Sequence, residues 1–495
     1  MLKLSAMLLC DFYKISHREQ YPEGTERVYA TWTPRGSRIK HIKEVVNFGA
    51  QAFIKNYLID FFNEAFFDRS KEKVVAEYSR IIKHTLGIAT PPTQHIEDLH
   101  DLGYLPLEIK ALPEGTLVPM RVPMLTIENT NDKFFWLTNY IETLASAEMW
   151  KPVTSATLAY QYRKLLDTYA SETGGPKDFV QFQGHDFSMR GSGSLQSAIA
   201  SGAGHLLSFS GTDTIPAVMY LEQFYNADVE KELVGTSIPA TEHSVMCAYG
   251  QDELASYKRI ITEVYPTGPV SIVSDTWDLW KVLSHVIEPL KDVILARDGG
   301  PESLDKVVIR PDSGDPVKIV CGDPEAAFGS AEFRGVVECL WDIFEGTINE
   351  KGFKELDPHI GCIYGDAITF DRCAEICARL KAKGFASTNM VYGIGSYTYQ
   401  YNTRDTFGFA LKSTSVTING DEKQIYKDPK TDDGLKKSQR GRVQVITDVG
   451  TLTCVDQLLS TDIEAAGNRL ETVFLDGLLV KDQSLREIRE RITNG

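Results

Sequence analysis

The sequence predicts an α/β protein whose central parallel sheet or barrel is joined to a second, mixed α+β domain. Three observations carry this. Five short apolar runs between residues 206 and 398 each give way to Gly, Ser or Asp. Several are followed by stretches of helical periodicity, the pattern of parallel strands joined by crossovers. Both ends of the chain instead mix helix-like and strand-like segments. The expected division is 1–150 with 400–495 as the mixed domain and 151–399 as the α/β domain.

From the N-terminus, 45–85 reads as helix, because apolar residues in VVNFGAQAFIKNYLIDFFNEAFF recur every three or four positions. Residues 102–128 alternate apolar and polar and carry several prolines, which predicts a small, partly open β unit. Helix returns at 133–150 and 153–174. The five runs follow: LLSFSGTD (206–213), PVSIVSDTWD (269–278), KVVIRPDSGD (306–315), IGCIYGDAIT (360–369) and NMVYGIGSYT (389–398). RCAEICARLKAKG at 372–384 reads as a crossover helix. Ligands of such sheets bind at the carboxyl edge of the strands. Residues 426–446 read as an exposed loop entering a strand, and the last fifty hold ETVFLDGLLV and a charged helix.

The chain has 495 residues with 52 basic and 68 acidic side chains, a net charge of −16. That balance disfavours nucleic acid and anionic membranes, so an anionic substrate needs locally placed Arg and Lys. No run approaches the length of a membrane span, and the apolar N-terminal stretch is too short for a signal peptide. The eight cysteines include no CxxC pair, which favours reduced thiols and a cytoplasmic location over metal or redox use.

Polar residues cluster where the runs end and in two stretches that precede helix-like patterns. In QGHDFSMRG (183–191), Phe187 offers a flat face and Arg190 a planar cation, suited to an aromatic ring with a polar edge. Gly191 and Gly193 free amides near a helix start; alternatively Asp186 is a cap or turn ion pair and Phe187 a core residue. Asp213 caps a helix or accepts from a substrate amide, and as a carboxylate it disfavours an acidic substrate. His243 is a satisfied imidazole or a nucleophile toward phosphoryl groups. Asp275 and Asp278 orient it, receive Mg²⁺, or cap a helix. Asp312 suits a ribose diol and Arg310 a phosphate or carbonyl. Gly365, Asp366, Gly393 and Gly395 allow a phosphate close to the backbone. Neither GxGxxG in its strand–helix context nor GxxxxGK[ST] occurs, so hydride transfer and P-loop chemistry lose ground.

DFYKISHREQYP, HDFSMRG, SGTDT, SIPATEHS, SIVSD, IRPDSGDP and FALKST, in this order over nearly the whole chain, resemble the nicotinamide phosphoribosyltransferases. The resemblance implies the irregular α/β barrel-like domain of the type II phosphoribosyltransferases, a second mixed α+β domain formed by both terminal regions, and homodimers with shared active sites. It implies transfer of phosphoribose from phosphoribosyl pyrophosphate to nicotinamide in NAD salvage, with Mg²⁺ held mainly by pyrophosphate and ATP as co-substrate. By the same resemblance Phe187 stacks on one face of the pyridine and Tyr13 of the neighbouring subunit on the other, and Asp213 selects the amide. Arg190, Ser271 and Arg310 line the cleft, Asp312 holds the ribose hydroxyls, and Gly365, Asp366, Gly393 and Gly395 support ribose and the 5′-phosphate. Arg35, Arg404, Lys412 and Lys427 bind phosphates, and His243 is a phosphorylated histidine with Asp275 beside it. Ser188 and Met189 replace the Gly and Tyr of vertebrate-type members, and GIGSYTYQ replaces a glycine run. Nicotinate phosphoribosyl transfer and a catalytically silent metabolite-binding protein on this scaffold are the competing readings.

Overall fold

A computed structural model describes residues 4–300, 303–365, 367–429, 431, 437–464 and 466–494. Asp366, one of the expected substrate-binding residues, lies outside the described residues. The chain divides into two compact units. One comprises Leu158–Val218 and Val229–Tyr401; the other comprises Met1–Thr157, Met219–Asp228 and Asn402–Gly495. The first division, between Thr157 and Leu158, falls inside the helix Glu142–Thr173.

The central unit holds a six-stranded sheet in the order Gly211–Thr212, Gly184–Asp186, Met390–Ile394, Ile360–Tyr364, Val307–Arg310, Val270–Val273. Every pairing is parallel. Strands of such a sheet are covered on both faces and read as continuous apolar runs; Val270, Ile272, Val307, Ile309 and Ile360 are accordingly buried. LLSFSGTD behaves differently from the other four runs. Leu206, Leu207 and Phe209 are buried just beyond the helix Leu195–His205, and only Gly211–Thr212 pairs as strand. A short apolar run does not by itself separate a strand from a buried helix end. The sixth strand, Gly184–Asp186, lies outside the five-run series because it has three residues and two of them are polar or charged. The crossover helix Phe370–Ala382 buries Cys373, Ile376, Cys377 and Leu380, the spacing of one helical face.

The terminal unit is built on a seven-stranded antiparallel sheet in the order Asp421–Gln424, Phe409–Ile418, Thr25–Pro34, Leu125–Asn129, Leu107–Ala111, Glu471–Leu475, Leu478–Leu479. Trp32 is buried in it and stacks on Phe409, centroids 5.5 Å apart. Residues 45 and 46 belong to a strand, Glu44–Val46, paired with Leu117–Pro119; helical turns begin only at Ala50. Met219–Asp228 joins this unit from mid-chain for a packing reason. Tyr225 is buried with its ring 5.0 Å from that of Phe48, and Gln51 Nε2 donates to the Phe224 carbonyl at 2.6 Å. No described helix is long and apolar enough to cross a membrane.

Candidate active site

A cavity of about 480 Å³ lies along the parallel sheet of the central unit. Phe187, Asp213 and Arg310 line it where strands end, and Pro269 and Lys306 line it where strands begin. The first group carries the polar chemistry.

Phe187 follows the Gly184–Asp186 strand, and its amide donates to the Ile394 carbonyl at 3.0 Å. Asp213 follows the neighbouring strand, with its amide on the Asp186 carbonyl at 3.0 Å. The Asp186 side chain ties the two loops together. It is fully buried, takes the Ser188 amide on Oδ1 at 2.9 Å, and takes the Thr212 and Thr214 hydroxyls on Oδ2 at 3.3 and 2.7 Å. Asp186 is therefore a turn-forming group, and Phe187 is free to line the cavity. Asp213 does not cap the following helix with its side chain. Its Oδ1 accepts from His185 Nε2 at 2.9 Å and from Ser237 Oγ at 2.7 Å. Burial pushes the Asp213 carboxyl up, but the His185 hydrogen bond and charge, with Ser237 and Arg310, outweigh it and hold the group below the usual carboxylate range.

A second cluster forms where the Val307–Arg310 and Val270–Val273 strands end. Arg310 Nη2 donates to the Thr241 carbonyl at 2.7 Å, while its buried Nε has no hydrogen-bond partner and faces Asp312 Oδ1 at 3.8 Å. Asp275 Oδ2 takes the amides of Asp312 and Ser313 at 2.9 and 2.7 Å and the Ser313 hydroxyl, which pins the turn bearing Asp312. Its Oδ1 is buried and unpartnered, 3.8 Å from His243 Nε2. His243 Nε2 is also 3.8 Å from Asp312 Oδ2, and Nδ1 lies 3.1 Å from Thr276 Oγ1. Asp278, by contrast, caps the helix Leu279–Lys281. Ser271 Oγ is a further buried, unpartnered polar atom on the cavity wall. A flat face beside an ionised carboxylate suits an aromatic ring that carries an N–H donor. Strand-end aspartates next to a buried guanidinium suit sugar hydroxyls and an anion.

Two glycines leave room for these groups. A Cβ on Gly365 would come within 1.8 Å of Asp312 Oδ1, and one on Gly393 within 2.7 Å of the Phe187 ring and of the Tyr364 carbonyl. Gly395 faces open space. Among the described residues no group of three or more His, Cys, Asp or Glu converges as a metal cage.

Residues 182–478 match the nicotinate phosphoribosyltransferase (NAPRTase) family, and residues 5–109 match the nicotinamide phosphoribosyltransferase N-terminal domain. The chain belongs to the nicotinate phosphoribosyltransferase family. A protein of Acinetobacter baylyi named nicotinamide phosphoribosyltransferase is 51% identical over 496 residues, covering 99% of this chain and 97% of its own. One of Mycoplasma pneumoniae with the same name is 35% identical, covering 89% and 95%. Among solved structures, the nicotinate-nucleotide pyrophosphorylase from Pyrococcus furiosus superposes with a TM-score of 0.60 at 15% identity, covering 99% of this chain and 94% of that one. Human nicotinic acid phosphoribosyltransferase gives 0.51 at 16%, covering 98% and 93%. These two likenesses establish the fold: an α/β chain with a parallel half-barrel sheet, as in type II phosphoribosyltransferases.

In this phosphoribosyltransferase-family chain the central unit brings together Phe187, Asp213, Ser271 and Arg310 on one cavity, and His243, Asp275, Arg310 and Asp312 in one cluster. Arg190 is exposed on a turn that shares a recess with Phe187 and Asp213. The remaining candidates lie in the terminal unit. Tyr13 and Arg404 are both exposed and share a recess of about 220 Å³ with Glu142. Lys412 Nζ donates to Glu142 at 3.3 Å, and Lys14 binds the same carboxylate. Arg35 Nε donates to the Gly408 carbonyl at 2.9 Å, and Lys427 lies in an exposed segment. His185, Ser237, Thr241 and Thr276 are the contacts that motif reading missed. For His185 a signal existed: strand side chains alternate, so residues two apart share a face, and His185 precedes Phe187 by two.

Proposed function

We propose that this chain transfers the 5-phosphoribosyl group of phosphoribosyl pyrophosphate to nicotinamide, giving nicotinamide mononucleotide and pyrophosphate in cytoplasmic NAD salvage. The observation that carries the choice of the amide is Asp213. It is held ionised beside Phe187, so it accepts from a carboxamide N–H and repels a carboxylate. The two relatives named nicotinamide phosphoribosyltransferase support the same choice.

The pyridine nitrogen attacks C1 of the sugar as the C1–O bond to pyrophosphate breaks. The nitrogen already bears a lone pair, so no general base is needed, and alignment with electrostatic stabilisation supplies the rate. Phe187 orients the ring, Asp213 and Ser271 hold the carboxamide, and Asp312 accepts from the ribose hydroxyls. Arg310, whose buried Nε lacks a hydrogen-bond partner and lies 3.8 Å from Asp312 Oδ1, meets the sugar phosphate in this reading. In this reading Mg²⁺ arrives with the pyrophosphate as part of the substrate and stabilises the leaving group.

Three further parts belong to this reading. ATP serves as co-substrate through phosphorylation of His243: a bond forms between an imidazole nitrogen and the γ-phosphorus, and ADP leaves. The exposure of His243 and its placement beside Asp275 support this. The protein works as a homodimer in which the partner's Tyr13 closes the second face of the ring; the 57% exposure of Tyr13 supports it. Arg35, Arg404, Lys412 and Lys427 meet phosphate groups. The test is product identification with purified protein, nicotinamide, phosphoribosyl pyrophosphate and Mg²⁺, with and without ATP. Nicotinamide mononucleotide, formed faster with ATP, is the expected result, and its absence overturns the proposal.

A further inference from the structure

A carboxylate on a half-open wall selects an amide only if one of its oxygens is aimed at the ligand. We infer that His185 is the positioning residue that aims Asp213, and so sets the preference for a neutral carboxamide over a carboxylate. This deepens the pyridine specificity proposed above and rests on it.

Four observations converge. His185 Nε2 and Ser237 Oγ both bond to Oδ1 of Asp213, at 2.9 and 2.7 Å, and no described donor is bonded to Oδ2. The carboxylate is thus gripped by one oxygen, and the other is left for a ligand N–H. The imidazole also touches the ring platform, with its centroid 4.7 Å from that of Phe187 and the planes at 46°. One side chain therefore sets the spacing between the flat face and the carboxylate. The seat of the imidazole is built into the sheet. Gly211 lies directly opposite His185 on the next strand, and a Cβ there would stand 2.7 Å from Nδ1. With Nδ1 against that glycine, Nε2 is the nitrogen turned to Asp213, and it carries the proton. Finally, the His185 side chain is only 11% exposed and the Asp213 side chain 47%. The enclosed partner fixes the open one, which would otherwise sample several rotamers.

A surface ion pair of the same length would contribute little, so the test reads discrimination rather than stability. His185→Leu removes the donor. His185→Gln keeps an N–H near the Nε2 position, and His185→Asn keeps a polar group too short to reach. Binding of nicotinamide and of nicotinate to each full-length variant is measured by calorimetry, alongside kcat and KM for both. The expected result is a loss of about ten-fold in the amide-to-acid affinity ratio for Leu and for Asn, carried by KM rather than kcat, with Gln near wild type. Should His185→Leu fail to fold, the contrast between Asn and Gln carries the same question. An unchanged ratio in Leu or Asn, or equal losses in Asn and Gln, overturns the role of His185. Wild-type protein that prefers the amide in calorimetry but makes no nucleotide would sink the proposed reaction and leave this inference standing; wild type that binds neither pyridine sinks both.

Discussion

Replacing Asp213 with Asn perturbs the site at one atom. Asn Oδ1 still accepts from His185 and Ser237, so the side chain stays in place, while Oδ2 becomes an N–H₂ facing the ligand. Two terms then change. The charged hydrogen bond to the amide is lost, worth about 1.5–3 kcal/mol in a buried setting. The repulsion of an acid is also lost; two charges about 4 Å apart at an effective dielectric of about 20 interact by about 4 kcal/mol. The Asp213 side chain is 47% exposed, and solvent screening cuts both terms to about 1–1.5 kcal/mol each. Their sum, about 2–3 kcal/mol, is about a 30- to 160-fold fall in the ratio of kcat/KM for nicotinamide over nicotinate. Competition between the two pyridines for limiting phosphoribosyl pyrophosphate measures that ratio directly. A ratio unchanged within three-fold would refute the assignment of Asp213 as the amide-selecting group.

Other perturbations test separate parts of the structure. His243→Ala should abolish labelling by γ-phosphate-labelled ATP while slow ATP-independent synthesis persists; label retained on that variant contradicts the phosphohistidine. Gly365→Ala should displace Asp312, whose Oδ1 occupies the space of the new methyl group, and raise KM for phosphoribosyl pyrophosphate about ten-fold or more with nicotinamide binding little changed. In the terminal unit, burial holds His95 down to about 4, and its Nδ1 is buried without a partner. The unfolded state therefore takes up a proton that the folded state refuses as pH falls below about 6.5. Stability should be unaffected above that value and reduced by about 1–2 kcal/mol at pH 5.5. Urea unfolding at pH 7.5 and 5.5 measures this, and His95→Phe should remove that part of the slope; an unaltered slope excludes His95 as its source.

Most of the parallel sheet was legible because apolar runs ending in Gly, Ser or Asp are a local signal. Val307–Arg310 and Ile360–Tyr364 fall where the pattern puts them. Gly184–Asp186 and Gly211–Thr212 were harder to see, because two or three residues are too few for any periodicity to register. The membership of Met219–Asp228 in the terminal unit was invisible for another reason. The contacts of Tyr225 and Phe224 with Phe48 and Gln51 span over 170 positions of chain, which no local pattern encodes. In the site, Asp213, Asp275 and Asp312 stood out as carboxylates where apolar runs end, while Phe187 and His243 stood out in the polar stretches QGHDFSMRG and SIPATEHS. The cap of Asp278 and the turn of Asp186 could be told from substrate roles only once their backbone partners were known. His185 and Thr241 fall inside the stretches HDFSMRG and SIPATEHS, but their contacts are with Asp213 and Arg310, which spacing alone does not reveal.

The buried Asp186 carboxylate is hydrogen-bonded to one loop through Ser188 and to the other through Thr212 and Thr214. A single bolt through both loops means that they breathe as one piece. On the proposed reading, an excursion that lifts Phe187 from the pyridine should therefore displace Asp213 with it, and both contacts to the product should be lost in one event instead of in sequence.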